Sequence, residues 1–175
     1  MKKIFVFVAI LLATCTAVSA ENTTRIGAAH SVDYGVFYGY STGALCNYGM
    51  AFLDINAANS NFRTRLNLGL AERWFKGGNG FNPNVAVDAQ YLLRLADGFY
   101  LYPSIGIYGE RFGKKNNKVI KNIVKEFNFG LEGGLGFEVQ ISSGFGLFLE
   151  GNYQRMFTES TANRFGGKFG VVLAL

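Results

Sequence analysis

The chain has 175 residues, a formal net charge of +5, 23 glycines, 17 phenylalanines and nine tyrosines. Because the charge is mild and comes with no compact basic motif, no nucleic-acid partner is expected. Beyond residue 20, no apolar run is long enough for a membrane-spanning helix, so entry into a membrane would require a closed barrel.

Residues 1–20 are predicted to be a secretory signal peptide, and residues 21–175 a single domain. Two lysines precede an apolar run from 4 to 13, and Val18-Ser19-Ala20 supplies the small residues of a cleavage site. An uncleaved anchor is an alternative, but the run is too short to span a bilayer. Lipidation at Cys15 is another, although the residue before it departs from a lipobox.

Four strands with period-two alternation are predicted first, over residues 26–40, 44–55, 61–75 and 84–95. The side chains predicted to face outward from them are Val32, Tyr34, Val36, Tyr38, Tyr40, Tyr48, Met50, Phe52, Phe62, Leu66, Leu68, Leu70, Trp74, Val85, Val87, Ala89, Tyr91 and Leu93. Asp97-Gly98 then predicts a tight hairpin, because such a turn needs residues that tolerate positive φ.

Four further strands are predicted over residues 99–111, over 127–139, from 145 onward, and over 164–175. Their predicted outward side chains are Leu101, Ile105, Ile107, Phe127, Phe129, Leu131, Leu135, Phe137, Val139, Phe145, Leu147, Leu149, Tyr153, Phe165, Phe169, Val171, Leu173 and Leu175. Pro103 cannot donate a ladder hydrogen bond, so a bulge or local gap is expected there. The longest loop is expected at residues 113–122.

The segment 127–139 indicates which face points where. One face carries phenylalanine, leucine and valine, and the other carries glycine, asparagine and glutamate, which suits a crowded interior better than open water. The apolar face would then contact lipid. The predicted inward acids are Asp33, Asp88, Glu110, Glu126, Glu132, Glu138 and Glu150, and the predicted inward bases are Arg63, Arg65, Arg73, Arg94, Arg164 and Lys168. Glu150 and Lys168 are expected to form an interior salt bridge on neighbouring strands.

The hairpin rhythm and the last strand carry a family resemblance. Residues 169–175, Phe-Gly-Val-Val-Leu-Ala-Leu, alternate up to the final residue. This pattern resembles the small eight-stranded outer-membrane barrels of Gram-negative bacteria, the OmpX-like and OmpA-barrel-like group, although that family usually ends in an aromatic residue. The resemblance implies an all-β, antiparallel, up-and-down transmembrane barrel in the outer membrane, inserted by the outer-membrane assembly machinery.

An eight-stranded barrel is just wide enough to be filled by its own side chains. We therefore expect a non-enzymatic monomer with a filled interior and a role in envelope structure or surface interaction. Arg111, Lys125 and Arg155 fall at the loop ends of neighbouring strands and are candidates for contact with lipopolysaccharide phosphates. Outer-membrane lipids are the other expected partners, and no cofactor or metal is expected.

Three alternatives stay open. One is a small porin-like pore. A second is a lipid A-modifying barrel enzyme, but His30 lies on the strand face opposite Ser31 and Asp33, so this trio cannot converge without a bulge. The third is a soluble periplasmic barrel of the lipocalin kind, which would enclose Phe127, Phe129, Leu131 and Leu135 and leave its glutamates in water.

Overall fold

The computed structural model describes residues 32–42, 46–57, 60–73, 81–111, 127–157 and 162–174. Within these ranges every regular element is a strand, and no helix is long and apolar enough to cross a membrane. The strands are β1 (Val32–Ser41), β2 (Cys46–Asn56), β3 (Phe62–Arg73), β4 (Phe81–Tyr91), β5 (Leu93–Ala96), β6 (Phe99–Arg111), β7 (Phe127–Ser142), β8 (Phe145–Met156) and β9 (Ala162–Ala174). The predicted signal peptide lies outside the described residues.

The strands form one closed antiparallel sheet. Consecutive strands pair with each other except β4 and β5, and β1 also pairs with β9, which closes the cylinder. Strand β6 pairs with β4 over its second half and with β5 over its first residues, so β4 and β5 fill one position. The fold is therefore an eight-stranded antiparallel barrel. We call the end with Val32 and Ala174 the terminal end, and the other the opposite end.

The Asp97-Gly98 turn and the interruption near Pro103 both agree with the sequence-based expectation. Gly98 has a φ of 74°, the left-handed conformation that glycine adopts at little steric cost. Leu92 N donates to Asn61 O at 2.8 Å, so the backbone groups of Tyr91 point the other way, toward β6. There they meet Pro103, which has no N–H, and the ladder is interrupted at this rung.

The two faces of the wall are inverted relative to a soluble protein. Large apolar side chains cover the outside, with Leu68 69% exposed and Ile105 67% exposed. The inside holds ionised side chains such as Asp54 and Glu138, both 0% exposed. The lipocalin-like alternative is therefore wrong: Phe129, Leu131 and Leu135 are exposed, and Phe127 has no described side chain.

Strand β2 corrects a sequence-based prediction. Tyr48, Met50 and Phe52 were expected to face lipid, but all three are buried inside the barrel. The reason is Asp54, which shares their face, because an ionised carboxylate must point away from lipid. Residues on the other face, such as Leu53 at 37% exposed, are apolar enough to take the lipid side.

Two further side chains differ from expectation. Arg94 was predicted to point inward, but it is exposed and pairs with Asp97, because the ladder shifts register between Arg94 and Ala96. Leu173 was predicted to be on the lipid face, but it is only 6% exposed, at the terminal end where β9 pairs with both β1 and β8.

Candidate functional site

The barrel interior is the site on which a function can be argued, and near the terminal end it holds an arginine pair. Arg65 donates from Nε and Nη2 to the two carboxylate oxygens of Asp54, both at 2.7 Å. Arg63 donates to Gln90 Oε1 at 2.7 Å and to Glu138 Oε2 at 2.8 Å, and its Nη1 lies 3.4 Å from Asp54 Oδ2. Bidentate pairing of this kind fixes the guanidinium plane as well as its charge.

Aromatic rings pack beside this pair inside the lumen. The Arg65 guanidinium lies 4.0 Å from the Phe52 ring centre and 4.5 Å from that of Phe148, on two rings that meet edge to face at 5.7 Å. Phe37 contacts the same two rings at 6.1 and 6.0 Å and also meets Tyr48 at 6.1 Å. Cation–π contact is strongest where water is excluded, so charge and ring stabilise each other here.

Farther along the lumen, Lys168 is held between two glutamates. Lys168 Nζ lies 3.0 Å from Glu150 Oε1 and also donates to Glu132, which accepts a second bond from Gln154 Nε2. Glu150 and Lys168 are direct partners in the β8–β9 register. The structure thus brings together the two residues that the sequence paired. Lys168 also lies 5.7 Å from the ring centre of Phe37.

Toward the opposite end, the interior is again polar. Asn67 Nδ2 donates to Asp88 Oδ2 at 2.7 Å. Arg164 Nη2 donates to Glu110 Oε1 at 2.7 Å, and the Tyr108 hydroxyl donates to Glu110 Oε2 at 3.0 Å. Each of these groups is buried, so the hydrogen bonds offset part of the cost of removing it from water.

Glycines on the inner wall make room for this filling. A Cβ placed on Gly136 would overlap the ring of Tyr102, and one placed on Gly39 would overlap the ring of Tyr48. The covering side chain comes from the neighbouring strand in both cases. Glycine on the polar face is therefore a packing requirement, as the alternation in the sequence suggested.

The interior charge differs from the predicted near balance. Among the described residues the buried acids number seven, Asp33, Asp54, Asp88, Glu110, Glu132, Glu138 and Glu150, and the buried bases number four, Arg63, Arg65, Arg164 and Lys168. Arg94 is outside, the Arg73 side chain and Glu126 lie beyond the described part, and Asp54 was missed because its strand was turned the wrong way. Assigning the two faces of β2 from Asp54, instead of from its aromatic residues, would have placed Asp54 among the inward acids.

The predicted lipopolysaccharide contacts are only partly described. Arg155 is exposed near the opposite end of β8, between Leu131 on β7 and Asn163 on β9. Strand β6 ends at Arg111, whose side chain is not described, and Lys125 lies outside the described residues. Next to Arg155, Tyr153 and Phe165 form an outward ring pair with centres 5.0 Å apart.

Solved structures share this fold at low sequence identity. The N-terminal β-barrel domain of Pseudomonas aeruginosa OprF matches with a TM-score of 0.61 and 14% identity, over 84% of this chain and 98% of that domain. Neisserial surface protein A matches at 0.58 and 9%, over 89% of this chain and 99% of that one. Ail, the attachment invasion locus protein of Yersinia pestis, matches at 0.57 and 12%, over 86% and 100%.

No protein-family model matches the sequence, and no curated protein matches it significantly. The structural likeness and the apolar exterior agree with each other. The chain has the fold of the small outer-membrane β-barrels.

An outer-membrane location agrees with the apolar surface of this barrel as well as with its fold. Its principal strands run from 10 residues in β1 to 16 in β7, and a tilted strand needs about 9–11 residues to cross the hydrocarbon. In the described part of the barrel no three acids, histidines or cysteines converge to hold a metal ion. His30 and Ser31, two members of the weighed catalytic trio, lie outside the described residues.

Proposed function

We propose that this outer-membrane barrel is a non-enzymatic structural protein of the envelope, closed to ions by its own side chains. The observation that carries the proposal is the ring cluster of Phe37, Phe52 and Phe148, which packs around the Arg65 guanidinium in the lumen. The barrel has eight strands, so such a cluster spans most of its width. The buried ion pairs on either side of the rings hold the wall segments together.

Conductance across planar bilayers tests whether the barrel is closed. We expect the refolded protein, checked by its heat-modifiable gel mobility, to give no regular conductance steps. Phe148→Ala is expected to introduce steps, because it removes a ring that is 1% exposed inside the lumen. Phe169→Ala is the matched control, since Phe169 lies on the adjoining strand but faces lipid at 55% exposed. Regular steps from the unaltered protein would favour the porin-like alternative instead.

We further propose that Arg155, with Arg111 and Lys125, contacts the phosphates of lipopolysaccharide at the opposite end. If the terminal end faces the periplasm, this end faces the cell exterior, where the lipid phosphates lie. An exposed guanidinium can bind a phosphate through two parallel hydrogen bonds. The adjacent Tyr153 and Phe165 rings suit the interface between acyl chains and headgroups.

Native mass spectrometry with bisphosphorylated lipid A tests this contact. The variant Arg111→Ala with Arg155→Ala is expected to retain fewer lipid A molecules than the unaltered barrel, whereas dephosphorylated lipid A should bind both equally. Arg94→Ala is the control, because Arg94 is also exposed but lies at the terminal end. Equal retention of lipid A by the double variant and the control would mean that these cations merely sit at the interface.

A further inference from the structure

Asp88 is a buried carboxyl group that touches no cation among the described residues. It is 1% exposed, on the inner face of β4. Its Oδ2 accepts a hydrogen bond from Asn67 Nδ2 at 2.7 Å, but its Oδ1 has no hydrogen-bond partner in the described part of the barrel. Oδ1 lies over Gly106, the partner of Asp88 on β6, which has no side chain that could donate to it. A buried carboxylate is normally stabilised by a cation or by roughly two or three hydrogen bonds, and Asp88 has only one such bond.

The guanidinium group on the neighbouring strand is turned away from Asp88. Arg65 is the direct partner of Asp88 in the β3–β4 ladder and of Asp54 in the β2–β3 ladder. Its Nε and Nη2 both donate to Asp54 at 2.7 Å, and its Nη1 has no hydrogen-bond partner within the described ranges. The Phe52 and Phe148 rings pack on the guanidinium group and hold it in this orientation. Arg65 therefore lies between two acids and bonds to only one of them.

The ammonium group on the far side of the lumen is also engaged by other acids. Strand β9 lies opposite β4 in the strand order of the barrel, and its Lys168 Nζ lies 3.0 Å from Glu150 Oε1 and donates to Glu132. Lys168 attracts Asp88 without contacting it, whereas Glu132 and Glu150 repel a negative charge at that position. Three carboxyl groups thus depend on one ammonium group, and a third negative charge would be buried without compensation.

We propose that Asp88 binds a proton when the barrel folds and keeps it at neutral pH. The neutral acid needs no cation and adds only a hydrogen atom, so it suits a lumen that side chains already fill. In the unfolded chain the same group is ionised above about pH 4. The folded barrel therefore holds about one proton more than the unfolded chain near neutral pH, and its stability falls as the pH rises. Mild acid stabilises the barrel, whether or not it conducts ions.

Urea unfolding of the refolded barrel in detergent micelles, between about pH 6 and 7, tests the proton site. The slope of the unfolding free energy against pH gives the number of protons taken up on folding. We expect about one proton for the barrel with Asp88 and about none for Asp88→Asn, because asparagine resembles the neutral acid and does not titrate. Both proteins should carry His30→Asn, since the single histidine of the chain would also titrate in this range. An uptake of about one proton by Asp88→Asn, or of none by the barrel with Asp88, would overturn the proposal.

A matched variant separates this site from a general effect of buried acids. Glu110 is as buried as Asp88 but bonds to Arg164, so Glu110→Gln should lower the urea midpoint and keep the proton uptake. Loss of the uptake in Glu110→Gln would assign the proton to another group and overturn the proposal.

Infrared spectroscopy of the folded barrel gives a second measurement that does not depend on unfolding. With isotope-labelled aspartate, the carbonyl band of a protonated carboxyl group should be present at neutral pH and absent from Asp88→Asn. Absence of that band from the barrel with Asp88 would also overturn the proposal.

Discussion

Asp54 on β2 and Arg65 on β3 are direct partners in the ladder and form a two-point ion pair inside the wall, with both N–O distances 2.7 Å. Arg63 shares the same carboxylate. Asp54→Asn should therefore leave two buried guanidinium groups short of negative charge. Removing one partner of a buried pair costs about 3–5 kcal/mol. We expect a much lower urea midpoint, read from the loss of heat-modifiable mobility.

The same substitution at Asp97 is the control for that experiment. Asp97 pairs with Arg94, but its side chain is 95% exposed, and exposed ion pairs contribute little to stability. Asp97→Asn should unfold near the unaltered midpoint. Similar midpoints for the two variants would show that the Asp54 pair is not a stabilising part of the barrel.

Glycine substitutions should differ according to the face they occupy. Gly136→Ala would drive a methyl group into the ring of Tyr102, and overpacking of this kind costs about 1–3 kcal/mol. Gly151→Ala faces lipid, and a Cβ there would meet nothing within 4 Å. We expect a lower refolding yield into lipid vesicles for the first variant only. Equal yields would contradict the packing of Tyr102 on Gly136.

Arginine on the lipid face should be costly in proportion to its depth. Leu68 lies near the middle of β3 and Leu95 near the terminal end of β5, and both are well exposed, at 69% and 61%. Leu68→Arg should cost about 2–4 kcal/mol and Leu95→Arg close to nothing, because the penalty falls toward the interface. Unfolding from vesicles measures the difference, and its reversal would mean that the bilayer is centred elsewhere.

The interrupted rung opposite Pro103 can be repaired. Pro103→Val supplies the N–H that the Tyr91 carbonyl lacks and adds a residue that favours strands. One more ladder hydrogen bond should stabilise the barrel by about 0.5–1.5 kcal/mol. A higher urea midpoint is expected, together with slower hydrogen exchange around Leu92. An unchanged midpoint would show that the interruption costs the barrel nothing.

Much of the fold was predictable because lipid and a filled lumen impose opposite demands on alternating positions. Where one face is purely apolar and the other holds glycine and acid, as in β7, the orientation follows at once. The prediction for β2 was wrong because both of its faces are largely apolar. Met50 and Leu53 therefore do not indicate which face points into the lumen. The single ionised residue of its inner face, Asp54, decides the matter, and it lies near the end of the strand.

The ion pairs inside the barrel were harder to predict from the sequence than the inward and outward faces of the strands. The pairing of Glu150 with Lys168 followed from neighbouring strands and opposite charge. The sharing of Asp54 between two arginines depends instead on the register of β2 against β3, and a register cannot be read from alternation alone. Arg94 was misplaced because the register shift beside it carries no mark in the sequence.

The rings that cover the inner glycines also constrain how such a barrel can diverge. The ring of Tyr102, on the neighbouring strand, fills the space above Gly136. One of the two residues can therefore become larger only if the other becomes smaller. A lineage could enlarge the glycine once the tyrosine had become smaller. Through many such exchanges the volume of the lumen would be kept while the identities of its residues changed.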